Sequence, residues 1–147
     1  MFTNENNKKR ILIVDDEQDT ILLLKLIIEE DGFKVDSFTD PLTALSNFKK
    51  KLDHRHHHRP YYDLVILYIK MPEMNGFQLC EEMKKINASI KACFITVADE
   101  RYYEGLRSSI NEDEEDQYCK LDKDRFLKKP ISNEDLVNEM NKIITMH

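Results

Sequence analysis

No stretch of this 147-residue chain approaches the ~20 consecutive apolar residues that a membrane-spanning helix needs. The first ten residues, Met1 to Arg10, also lack the apolar core of a secretion signal, and they read as a polar lead-in. Cysteine is sparse and odd in number: Cys80, Cys93 and Cys119, with no CxxC pair. Reduced thiols in a cytoplasmic protein are the simplest reading, with Cys80 and Cys93 as core groups. Base is in deficit. Against 28 acidic residues stand 22 Lys and Arg, a net charge of −6, which argues against a nucleic-acid-binding surface. What is present suffices for one domain over residues 11–147 with a full apolar core.

The apolar residues fall into short runs and helical stripes. Ile11-Leu12-Ile13-Val14 predicts a strand buried on both faces, ending abruptly at Asp15-Asp16-Glu17. Ile21, Leu24, Ile27 and Ile28 then follow helix spacing, with Gly32 as a stop signal. Phe33 to Phe38 reads as a short strand. Asp40-Pro41 supplies an N-cap and a first-turn proline for a helix carrying Leu45, Phe48 and Leu52. A third strand covers Leu64 to Leu67 and runs into Tyr68. Leu79, Met83 and Ile86 form the stripe of the next helix. Ala92 to Val97 reads as a fourth strand. Tyr102, Tyr103, Leu106 and Ile110 give a short helix weakened by Gly105. Arg125 to Lys128 is a last strand. Ser132 and Asp135 resemble a capping box ahead of a final helix with Leu136, Met140, Ile143 and Ile144.

Five alternations of strand and helix predict a parallel sheet with helices on both faces and right-handed crossovers. Such sheets place their functional groups at the carboxyl ends of the strands. The polar residues that fall there are Asp15, Asp16, Tyr68, Thr96 and Lys129.

Four features occur in a telling order. An acidic pair ends the first strand. The loop Met71-Pro72-Glu73-Met74-Asn75-Gly76 follows the third. Thr96 ends the fourth, and Lys129-Pro130 ends the fifth. Together they make the chain resemble a response-regulator receiver domain over nearly its whole length. The resemblance implies a flavodoxin-like (βα)5 three-layer sandwich with a five-stranded parallel sheet of order 2-1-3-4-5. It implies a Mg²⁺ site at Asp15, Asp16 and the backbone carbonyl of Lys70. It also implies phosphoryl contacts from Thr96 and Lys129, and an aromatic switch at Phe126.

Position 68 departs from that pattern. The family ends its third strand in the aspartate that accepts a phosphoryl group, and this chain has Tyr68. A phenol cannot form the acyl phosphate, and a neutral phenol with a pKa near ~10 is a poor Mg²⁺ ligand. The resemblance thus implies an atypical, non-enzymatic receiver with weak or absent Mg²⁺. Because the chain ends soon after the final helix, a stand-alone module is expected. It would signal to another protein in a two-component phosphorelay through the face of the 102–110 helix, the last strand and the final helix. Tyr102, Tyr103, Phe126 and Leu136 belong to that face. Val97 also replaces the small residue that the family favours after the threonine, and Asn111 to Asp116 makes an unusually long acidic connection.

Plainer readings accompany each signal. Asp15 and Asp16 could be a helix N-cap and a first-turn acid. Lys129 could simply neutralise them. The run His54, Arg55, His56, His57, His58, Arg59 could bind a metal or respond to pH through its imidazoles, or be a solvated extension. A small-ligand sensor at the altered strand ends is a further alternative.

Overall fold

Ile11 to Val14 have no polar side chain and no exposure, so the first strand can sit only in the middle of a sheet covered on both sides. It does so in the computed structural model, which describes residues 8–51, 60–97 and 126–145. The strands are β1 (Arg10–Val14), β2 (Lys34–Phe38), β3 (Leu64–Tyr68), β4 (Ala92–Thr96) and β5 (Phe126–Lys128). All neighbouring pairs are parallel, in the order β2-β1-β3-β4-β5. The order that the resemblance implies is the observed one.

Alternation along each strand divides the core into two layers. Ile11, Ile13, Leu64, Ile66, Cys93 and Ile95 pack with Ile21, Leu24 and Ile28 of α1 (Gln18–Glu30) and with Leu136, Met140 and Ile143 of the final helix (Asn133–Thr145). Leu12, Val14, Val65, Leu67 and Phe94 pack on the other face. Their partners are Ala44, Leu45 and Phe48 of α2 (Pro41–Lys50) and Phe77, Leu79 and Met83 of α3 (Gly76–Ile86). Each buried Ile, Leu or Phe contributes about 1.5–3 kcal/mol relative to exposure.

Local signals set the element ends. Gly32 takes φ +97 after α1, the left-handed conformation that glycine adopts without strain. The Asp40 carboxylate accepts from the Thr43 amide (3.0 Å) and hydroxyl (2.6 Å), which caps α2. These bonds hold its carboxyl below the ordinary value. Ser132 Oγ accepts from the Asp135 amide at 3.1 Å and caps the final helix. β4 stops one residue earlier than the sequence predicts, leaving Val97 51 % exposed.

Leu136, on the apolar stripe that the spacing predicts, is fully buried against α1 and the sheet. One expectation is corrected. Cys80 is disulfide-bonded, whereas a reduced thiol was expected, and Cys93 is the buried free thiol. The 102–110 helix, the histidine run and the 111–116 connection lie outside the described residues.

Candidate functional site

The parallel sheet brings five separate segments to one edge. Asp15 follows β1, and its amide donates to the Phe38 carbonyl at the end of β2 (3.2 Å). Tyr68 is the last residue of β3, and the next amide, Ile69, donates to Ile95 of β4 (3.0 Å). Thr96 ends β4, and its carbonyl accepts from the Lys129 amide just past β5 (2.7 Å). These backbone bonds fix where the side chains start.

The β3–α3 loop is held with particular tightness. The Gly76 amide donates to the Ile69 carbonyl at 2.9 Å. A β-carbon at Gly76 would lie 2.5 Å from the Tyr68 carbonyl oxygen, so no larger residue fits. Asn75 and Gln78 form a reciprocal capping box: Asn75 Oδ1 accepts from the Gln78 amide (2.9 Å), and the Asn75 amide donates to Gln78 Oε1 (3.0 Å). The Asn-x-x-Gln spacing ahead of α3 is the local signal for this cap. Glu73, within the loop, has φ 69, a conformation uncommon outside glycine.

Three predicted residues converge. Asp15 has no exposed surface, and Lys129 Nζ sits 3.0 Å from its Oδ2. The contact is a close ion pair. Asp15 Oδ1 accepts from the Glu17 amide at 2.9 Å. Burial raises the Asp15 carboxyl above the ordinary 3.8, while the Glu17 amide and Lys129 pull the other way. Tyr68 is 6 % exposed, and Lys129 Nζ lies 4.0 Å from the centre of its ring. That is a cation–π contact. Glu17, which the sequence reading did not place in the site, brings Oε2 to 3.7 Å from the same ammonium. Thr96 is 3 % exposed at the adjoining strand end.

Of the other predicted residues, Asp16 and Lys70 are exposed. Phe126 is half-buried and packs its ring against Phe94 (5.6 Å between centres) and Phe77 (6.2 Å). Its ring is therefore joined to the α2–α3 layer of the core.

The donor set does not fit a tightly held Mg²⁺ in this arrangement. Mg²⁺ demands near-octahedral oxygen ligands and gives up its waters reluctantly. Here both Asp15 oxygens already face positive or donor groups, and β3 ends in a phenol. Among the described residues no three His, Cys, Asp or Glu side chains gather where they could hold a metal.

A second polar cluster, marked by no local pattern, sits before β3. Tyr62, 2 % exposed, donates its hydroxyl to Asp36 Oδ2 (2.5 Å) and accepts from Asn47 Nδ2 (2.8 Å). Burial, and then the bond to Asp36, push the phenol far above its ordinary range. Tyr61 beside it lies under Arg10 (4.6 Å) and Lys51 (4.9 Å).

A doubly covered parallel sheet of this order, with an acid, a threonine and a lysine at its carboxyl edge, defines a receiver-type α/β module. The family model of the response regulator receiver domain matches residues 11–141, and the chain belongs to that family. It is similar to the response regulator SaeR of Staphylococcus aureus, with 29 % identity over 117 residues, covering 80 % of this chain and 42 % of that protein. The chain thus spans less than half the length of the curated relatives it matches. Among solved structures, it resembles a receiver domain protein of Clostridium thermocellum with TM-score 0.71 and 24 % identity, covering 92 % of this chain and 94 % of that one. It also resembles one chain of the structure of a CheX–CheY complex from Borrelia burgdorferi, with TM-score 0.70 and 20 % identity, covering 94 % of this chain and 90 % of that one. Both likenesses concern the fold. Receiver domains are signalling modules of two-component systems rather than enzymes. No described helix is long and apolar enough to cross a membrane.

Proposed function

We propose that this receiver domain signals by protein contact, without accepting a phosphoryl group at position 68. One observation carries the reading. The third strand ends in a buried phenol whose ring is covered by Lys129 at 4.0 Å, where an acceptor carboxylate would have to stand open to a phosphodonor. Phosphoryl transfer depends on positioning and charge neutralisation around a nucleophile, and here that nucleophile is missing. Mg²⁺ binding through Asp15, Asp16 and the Lys70 carbonyl is correspondingly weak or absent. Thr96 and Lys129 keep the identity of phosphate-contact groups, and Phe126 that of the switch.

Contact with another signalling protein then carries the output. On the family's usual contact face, Leu136 is buried and Phe126 packs inward, which leaves Tyr102 and Tyr103 as its candidate anchors. Elsewhere, the outer face of α1 exposes Leu22 (56 %), Leu23 (55 %) and Leu26 (67 %), an apolar cluster of the kind that marks interaction surfaces.

The test is intact-mass spectrometry after acetyl phosphate treatment with Mg²⁺. The wild type stays at its original mass, and the Tyr68→Asp variant gains one phosphoryl group. A stoichiometric, hydroxylamine-labile phosphoryl group on the wild type refutes the reading.

A further inference from the structure

Lys129, Asp15, Glu17 and Tyr68 come from three different strand ends, and they meet at one ammonium group. Lys129 Nζ lies 3.0 Å from Asp15, 3.7 Å from Glu17 and 4.0 Å from the Tyr68 ring centre. Its side chain is only 14 % exposed. A buried carboxylate, a second carboxylate and an aromatic face are the elements of a cation site. In this molecule the chain supplies the cation itself.

Tyr68 makes that arrangement durable. A second carboxylate at the end of β3 would add negative charge beside Asp15 and attract a divalent ion. A phenol ring adds none, yet its face still attracts an ammonium, and more strongly when water is excluded. Asp15 needs a positive partner because it is wholly buried. Any Mg²⁺ entering would have to displace the ammonium from Asp15, with no carboxylate from the end of β3 to help hold it.

We propose that Lys129 is the resident cation of this site, held by Asp15 and by the Tyr68 ring, and that this self-filled site replaces a divalent metal. It pins the end of β5 to the ends of β1 and β3. This deepens the reading of position 68 given above and rests on it. Neither an ion nor a phosphoryl group then biases the position of β5, because a ligand shifts an equilibrium only through differential affinity.

The experiment uses the full chain with lysine side chains isotopically labelled, and Mg²⁺ alone as the probe. The Lys129 ε-methylene resonance in the wild type is displaced upfield by the Tyr68 ring and stays in place when Mg²⁺ is added. In Tyr68→Leu it returns to the ordinary lysine range. Calorimetry shows Lys129→Met binding Mg²⁺ on the order of 10-fold more tightly than the wild type. Lys129→Arg, which keeps the charge, stays at the wild-type affinity and controls for loss of folding. An unshifted Lys129 resonance in the wild type overturns the proposal. So does equal Mg²⁺ affinity in the wild type and Lys129→Met. Failure of the non-acceptor reading registers differently, as phosphoryl mass on the wild type, so the two results are read separately.

Discussion

Replacing Lys129 with methionine isolates the charge that Asp15 depends on. Methionine keeps most of the aliphatic length, so packing changes little. The loss is electrostatic: Asp15, with no exposed surface, is left without its ion-pair partner at 3.0 Å. Removing one member of a buried pair destabilises by about 3–5 kcal/mol. The lower end applies here, because Asp15 can escape by taking up a proton and keeps its bond from the Glu17 amide. At about 3 kcal/mol, and ~2–4 °C per kcal/mol for a chain of this size, the melting temperature falls by roughly 6–12 °C at pH 7.5. The pH dependence identifies the cause. Burial raises the Asp15 carboxyl above its ordinary 3.8. A group raised in this way stabilises the fold below its unfolded value, and that contribution is lost as pH rises through the folded one. Without Lys129 the folded value rises further. The gap between variant and wild type is therefore small near pH 4 and widens toward neutrality. Denaturant melts at half-unit pH steps measure it. A gap that is constant with pH, or widest in acid, refutes the assignment of Lys129 as the partner of Asp15.

Gly76→Ala forces a methyl to 2.5 Å from the Tyr68 carbonyl, against backbone that cannot swing away, and should destabilise by about 1–3 kcal/mol in urea melts. Tyr62→Phe removes the hydroxyl joining Asp36 and Asn47 and should destabilise by about 1.5–3 kcal/mol, read the same way. Asp40→Ala should lower helicity by circular dichroism at pH 7. The difference fades in acid, because a lowered carboxyl stabilises only above its folded value and that support is lost as pH falls through it. Ile66→Ala, at a fully buried central-strand position, should destabilise by about 2–5 kcal/mol.

Much of this was legible in the residues. Ile11 to Val14 and Leu64 to Leu67 announce central strands because nothing polar interrupts them. The Ile21, Leu24, Ile28 spacing announces the buried side of α1 for the same reason. Asp15, Tyr68, Thr96 and Lys129 could be gathered because a parallel sheet puts all strand ends on one edge. What sequence could not give is which partner each side chain takes. Asp15 is buried while Asp16, its identical neighbour, is exposed; only the direction of the chain leaving β1 separates them. The Tyr62–Asp36–Asn47 bonds join three segments far apart in the chain, and no local pattern marks them. Leu136 lies on an apolar stripe, and the packing of α1 beside it decides that it is interior.

The backbone around position 68 is secured by groups other than its side chain: the Gly76 amide on Ile69, the crowded Gly76 α-carbon and the Asn75–Gln78 cap. The backbone that carries residue 68 is thereby held by contacts that do not involve its side chain. In the genetic code, tyrosine and aspartate codons differ only at their first base. A single base change can therefore exchange the two side chains at this edge while those backbone contacts stay in place.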